Sequence, residues 1–588
     1  MTHKPTSTLL MLTAAVALVV TGAGCDRKGE GLRLFPFIGK APAEPEKESH
    51  GDGSKGGGSS GGGSSGGSSG GGGTVETVIA GCNAGAQASR NVAAPTLLRT
   101  LPGSWEEGWL ASPTLVDLDR DGRKEIVAPR HGTLYAWKHD GTLLWRAGFG
   151  QHASNSGSSS QRMWASAAAA DVTGDGFPEL VVASDLRTTT GGNVAVYDRH
   201  GQLLPGWPAR FGNTEIRSVT AADVTGEGHA SVIVNKLHDG PSTAVLAPNG
   251  QLQPGWPQVT ASCNANGGPP CLDYGGYNQN VGAGDLDGDG VADVVTTYDL
   301  MAFGIFRGDG RPFPAADEFS DSAVSGIEMY HDVTFARRGW GVGDRSEFTE
   351  SPPVLVDLDG DGKREVALLG NHEHSESTQT RGFTLWVVRP DGTRPQGWEW
   401  PKDLGAPLRT EANEPGHNII LQLPSLTAAD LHPSEGKELL FPSSDGFLHL
   451  FSARGESLWR FAIGAGWPFV GISEPVVADL NGDGSPEILF TTYTSGAPGA
   501  PEAKPHLHVL AADGHPLHQV PLSGRGAMAA PSVADLDGDG TLELVVSLKD
   551  AVGNGQSGVQ VWSLPGSNAK CLPWPTGRGN AARTGTAG

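Results

Sequence analysis

The stretch "DLDGDGTLE" places four carboxylates within nine positions, at Asp535, Asp537, Asp539 and Glu543. Crowded in this way they repel one another, so the arrangement calls for a cation. Acids at positions 1, 3 and 5 converge when the chain curls around an ion. A glycine at position 6 permits the tight turn. Position 7 offers a backbone carbonyl, here from Thr541, and position 9 closes the cage, here with Glu543. A hard cation that takes six to eight oxygens matches this donor set, and calcium is the expected ion.

The phrase recurs through the chain. Strong copies run through Asp117, Asp119, Asp121, Arg123 and Glu125, and through Asp285, Asp287, Asp289, Val291 and Asp293. Two more comprise Asp357, Asp359, Asp361, Lys363 and Glu365, and Asp479, Asn481, Asp483, Ser485 and Glu487. A sixth copy has Asp171, Thr173, Asp175, Phe177 and Glu179. The seventh, from Asp223, loses its last acid to Ser231, and the eighth keeps only Asp430 and Glu438, with His432 and Ser434 between them. The expectation is therefore five or six ions. They would offset about twelve charges of a chain whose formal net charge is −23. The same acid excess argues against nucleic acid as a partner, since phosphate binding needs a basic face.

An EF-hand is the rival reading. It needs a bidentate Glu at position 12, where this chain has Ala128, Val182, Thr296, Leu368, Phe490 and Val546. It also needs flanking helices. Here apolar runs such as "PTLVDL" and "PSVADL" precede the acids, and β-rich runs such as "EIVAP" and "ELVVSL" follow them. An alternating strand and a Gly turn come next, as in "TLYAWKHDG" and "LHVLAADG". The 87 glycines and 41 prolines suit short strands joined by many turns. Each unit reads as four antiparallel strands with the acidic loop after the first. Units 49 to 73 residues apart that cannot bury both faces alone must stack radially. The fold class is all-β, an eight-bladed β-propeller over residues 76–588, or seven-bladed if the Asp430 unit is an insertion.

The acidic loop in register with strands resembles the FG-GAP/VCBS repeat, the blade of integrin α-subunit head propellers and of many bacterial surface proteins. The resemblance covers most of residues 95–566 and implies calcium in the loops. The tail "CLPWPTGRGNAARTG" looks like a segment that closes bacterial propellers of this kind.

Ahead of the repeats, Lys4 precedes an apolar run, Leu9 to Val20, too short to span a bilayer. Residues 1–24 read as a signal peptide. Cys25 follows as the expected lipidation site, with Gly22 where a lipoprotein signal usually has a large aliphatic residue. Residues 25–75 include "GGGSSGGGSSGGSSGGGG" and have the composition of a flexible tether with a reach of about 40 Å. The four other cysteines suggest two disulfides, Cys263 with Cys271 across a local loop and Cys82 with Cys571 between the ends of the head.

Several constellations read as structural. Arg307-Gly308-Asp309 falls where other units have a hairpin turn. His372 with His374, and His506 with His508, share strand faces without an assignable third ligand, and are expected at the surface. Trp207, Trp256, Trp398 and Trp467 repeat at one place in the unit, which argues packing. The inserts around 258–280 and 312–350 are the candidate binding loops. The second holds Tyr330, His331, Arg337, Arg338 and Trp340. No catalytic set is found, and the Trp-docking pattern of quinone-cofactor dehydrogenases is missing. The expected function is a monomeric, envelope-tethered binding or adhesion module. It would be exported, held to the membrane through its lipid alone, and its partner a protein or glycan at the cell surface. The alternatives are a polysaccharide lyase-like enzyme and a scaffold of an envelope complex.

Overall fold

Each acidic loop is framed by two strands in one shared register. The residue before position 1 pairs with position 9: Val116 with Glu125, Ala170 with Glu179, Ala222 with Ser231 and Gly284 with Asp293. Val356 with Glu365, Ala429 with Glu438, Ala478 with Glu487 and Ala534 with Glu543 follow the same rule. The computed structural model describes residue 82 and residues 91–588, apart from short internal stretches, the longest being 259–275, 332–344, 405–424 and 495–503. Cys25, the tether and the Cys263–Cys271 pair lie outside the described residues.

The frames build eight antiparallel sheets, one per unit. The Asp430 unit forms a sheet of its own, Thr427–Ala429, Glu438–Pro442, Phe447–Phe451 and Ser457–Ala462. The ring therefore has eight blades rather than seven. Hydrophobic clusters span neighbouring blades, since no blade covers both of its own faces. Val224, Ile233 and Val245 of the third blade pack with Val281, Val294 and Phe306 of the fourth. Blades two and three differ from the expected four strands and have three. Where the fourth would run, "LLPGWPA" and "LQPGWPQ" carry prolines that lack an N–H for the ladder. These segments make only isolated bridges, Tyr197 to Leu203, Val194 to Ala209 and Leu246 to Leu252.

Two closures join the chain ends. Thr96–Pro102 adds to Gln556–Leu564, so the eighth blade is built from both ends of the ring. The tail then runs along the inner edges of the blades. Its carbonyls accept from Asp479 (at Cys571), Val477 (at Trp574), Val533 (at Pro575), Ala169 (at Ala581), Ala221 (at Ala582), Ala283 (at Thr584) and Leu355 (at Gly585). Those donors lie in, or directly after, the innermost strands of six blades.

Two fully buried arginines hold the tail. Arg583 donates to the carbonyls of Ala167, Pro113 and Gly577 and to the hydroxyls of Thr114 and Thr576. Arg578 donates to the carbonyls of Val281 and Pro353. Glu474 is the buried countercharge. Its Oε1 accepts from Trp574 Nε1 at 2.9 Å and from the Arg578 backbone N–H at 2.7 Å. Where the tail begins, Cys571 is bonded to Cys82 across 489 residues, the expected pairing. A cross-link over so long a loop restricts the unfolded chain strongly. Cys571→Ser should lower unfolding stability by about 2–5 kcal/mol. Reduction should cost the parent chain more than the variant by that amount, as read by denaturant unfolding.

Candidate functional site

One hydrogen-bond scheme repeats from loop to loop. In seven loops Oδ2 of the position-1 aspartate accepts from the backbone N–H of the position-6 glycine at 2.8–3.1 Å. Those glycines have φ between 83 and 89°, which L side chains adopt only with strain. In six loops the position-5 Asp121, Asp175, Asp289, Asp361, Asp483 or Asp539 accepts from the position-7 N–H at 2.7–2.8 Å. The position-7 residues thus engage through their backbone.

The position-9 acid is buried in each loop that has one, joined by the position-1 Asp171 and Asp479 in two of them. One oxygen of Glu125, Glu179, Asp293, Glu365, Glu438, Glu487 and Glu543 accepts from the position-2 N–H at 2.7–3.0 Å. The second oxygen is left for other partners. Burial, with repulsion from the neighbouring aspartates, raises the carboxyl pKa to about 7 in Glu125, Glu179, Asp293, Glu365 and Glu543, and to about 8 in Glu487. Such carboxylates keep their charge at neutral pH when a cation sits beside them. In four loops three carboxylates offer oxygens within 4.8 Å of one another: Asp117, Asp119 and Glu125; Asp285, Asp287 and Asp289; Asp357, Asp359 and Glu365; Asp535, Asp537 and Asp539. All-oxygen donors at this spacing fit a hard divalent metal ion.

The remaining loops relieve the charge in other ways. At position 3, Thr173 donates to Glu179 at 3.3 Å and Asn481 to Glu487 at 3.4 Å. In the Asp223 loop the position-9 hydroxyl of Ser231 accepts from Gln253 at 3.3 Å, a neutral pair. In the Asp430 loop the His432 ring meets Glu438 at 2.8 Å, so the protein supplies its own cation when the imidazole is protonated. The loops also bind blade to blade. Lys124 N–H donates to the Leu536 carbonyl, Ala230 to Asp171 and Ala292 to Asp223, and the Arg364 side chain reaches the Asp285 carbonyl.

The other constellations separate by burial. The Arg307-Gly308-Asp309 stretch is a hairpin turn, closed by Gly310 N–H on the Arg307 carbonyl. Arg307 pairs with Asp287 of the acidic loop. Trp207, Trp256 and Trp398 are buried and donate through Nε1 to carbonyls of Pro248, Gly308 and Ala453 in the next blade, a packing role. Trp467, Tyr330, Arg337, Arg338 and Trp340 lie outside the described residues. The histidines depart from expectation. His372 and His508 are 8% and 5% exposed, not surface groups. His508 stacks on Phe490 at 4.7 Å, and burial lowers its pKa to about 4.

A polar recess that sequence reasoning missed lies at one end of the axis. It encloses about 350 Å³, counted with the open space at its mouth. Ser112, Asn278, Gln279, Ser425, Glu474 and Tyr493 line it. They come from four blades, and no sequence period marks them. Most of its lining residues directly precede innermost strands, whereas the acidic loops directly follow them. Recess and loops therefore occupy opposite faces of the ring.

The charge balance of the two loop types gives a test. His432→Ala leaves Glu438 buried without its partner and should lower stability by about 1–3 kcal/mol, equally with and without a chelator. Glu543→Gln should destabilise only when divalent ions are present, and be neutral or stabilising in chelator. Paired denaturant titrations separate these outcomes. Equal behaviour of the two variants would remove the metal assignment of the Asp535 loop.

Residues 117–182 and 171–234 match the family model of the FG-GAP-like repeat, each window spanning two successive acidic loops. No curated protein matches the chain. Among solved structures, the rhamnogalacturonan lyase YesW is 15% identical over 84% of this chain and 81% of its own, with a TM-score of 0.46. The Bacillus licheniformis rhamnogalacturonan lyase is 16% identical over 81% and 76%, with a TM-score of 0.43. The V. cholerae biofilm matrix protein Bap1 is 14% identical over 87% and 96%, with a TM-score of 0.34. The chain carries FG-GAP-like repeats in an eight-bladed β-propeller.

Proposed function

We propose that this protein is a calcium-stabilised binding module tethered to the cell envelope. The observation that carries the reading is the division of the ring into two faces. One face holds the acidic loops, whose inter-blade hydrogen bonds suit a structural ion. The other holds the recess. The longest connections lead to the innermost strands Val281–Gly284, Val354–Val356 and Thr427–Ala429. Long loops on a rigid scaffold are where binding concentrates. Asn278 is 2% exposed, and its Nδ2 has no hydrogen-bond partner among the described residues. A buried amide of this kind favours a ligand that offers an acceptor, such as a glycan hydroxyl or a carbonyl. In this reading Cys25 is lipidated and residues 25–75 tether the head to the envelope.

Calcium follows from the donor set. Chelation should lower the melting temperature clearly, and calcium should restore it with a stoichiometry of four to six, the four loops with three converging carboxylates binding first. An unchanged melting temperature would sink the calcium assignment. For binding, the full chain is presented to a glycan array and to whole cell surfaces. Asn278→Leu should weaken the captured interaction about tenfold while leaving the melting temperature unchanged. Undiminished capture would move the binding site away from the recess.

A further inference from the structure

The recess-side rim between the fourth and fifth blades brings together three side chains that the repeat pattern does not explain. His331 follows the outer strand Ser325–Glu328 of the fourth blade. His372 lies near the end of Glu365–His374, and Asp403 lies on the short outer strand Lys402–Asp403 of the fifth blade. One nitrogen from each ring and one carboxylate oxygen lie within 4.8 Å of one another. His372 Nδ1 stands 3.2 Å from Asp403 Oδ1, and the two imidazole rings are 4.0 Å apart between centroids. We propose that His331, His372 and Asp403 form a binding site for a divalent transition-metal ion such as zinc.

The donor chemistry differs from that of the acidic loops. Two imidazoles and one carboxylate suit zinc and its neighbours, whereas calcium takes oxygen alone. A tetrahedral ion with bonds of about 2.0–2.1 Å needs ligands about 3.4 Å apart. The His372–Asp403 pair already has that separation. His331 closes the set by a small ring movement. Three protein ligands leave a fourth position for water or for a group of an incoming ligand.

The surroundings hold the rings in place. The ladder between Glu365–His374 and Ser377–Val388 shifts register between Asn371 and Glu373, directly at His372. A bulge re-aims a side chain in this way, and bulges concentrate beside functional sites. The His331 ring stands edge-on to Trp386 at 5.4 Å, and its backbone carbonyl accepts from Arg394 at 3.0 Å. The buried hydroxyl of Ser346 lies 3.5 Å from His331 Nε2, where an outer hydrogen-bond partner of a metal-bound imidazole belongs. The site is independent of the calcium loops, which occupy the opposite face.

The test uses the full chain, purified without a polyhistidine tag, with excess calcium to fill the acidic loops. Cobalt(II) is titrated in and followed by its visible d–d absorption, and zinc is then added in competition. The expected result is one equivalent of cobalt bound despite the calcium, with its absorption abolished by zinc. His372→Gln and Asp403→Asn should each weaken binding by about tenfold or more, while Glu543→Gln leaves it unchanged. Asp403 is solvent-exposed, so its variant keeps the test valid if His372→Gln fails to fold. No stoichiometric cobalt binding, or binding that Asp403→Asn leaves untouched, overturns the proposal.

Discussion

A ring of blades leaves the inner edge of every innermost strand facing the axis, with backbone N–H groups that no neighbouring strand can satisfy. Burying such donors without partners is expensive, and the molecule meets the constraint with a single segment. The tail from Cys571 onward passes six blades and offers a carbonyl to each. Arg578 and Arg583 then bind the remaining carbonyls around the centre, and Glu474 balances part of their charge. The axis is thus a polar hydrogen-bonded shaft, not an oily plug. The blades pack apolar face to apolar face around it.

The opposite rim faces the reverse problem, an excess of acceptors. Seven loops keep the same turn, drawn by an aspartate folding over a left-handed glycine. What varies is the source of positive charge or hydrogen for the position-9 group. An ion fits the loops with three converging acids, an imidazole serves at His432, Asn481 and Thr173 donate to their position-9 acids, and the Gln253 amide donates to the Ser231 hydroxyl. The turn therefore does not depend on the ion. A bound ion would set how firmly the buried carboxylate is held, and with it the strand that the carboxylate starts.

The acidic loops and blade strands were legible because their signals are local. Nine residues contain the turn, and the alternation of the next strand follows at once. The Cys82–Cys571 pairing was legible as well, from position at the ends of the head. The arginine shaft was not. Arg583 meets Ala167 and Thr114 across more than four hundred residues, and no periodicity announces such a contact. His372 was misplaced for a related reason. Strand alternation put it on one face with His374, but the register shift and the arrival of His331 from the preceding blade bury it. The recess escaped notice because each blade contributes only one or two polar residues to it.

The position of the shaft in the chain has a consequence for biogenesis. The segment that satisfies the inner strands follows all eight blades in the chain, and the strand that completes the eighth blade precedes them. Earlier blades must therefore persist with open inner edges until that segment has been made, and ring closure becomes a late, all-at-once event. A chain cut before Cys571 would not lose a peripheral appendage. It would remain an open arc, with exposed strand edges that invite proteolysis or pairing with other chains, and quality control would see it as unfinished.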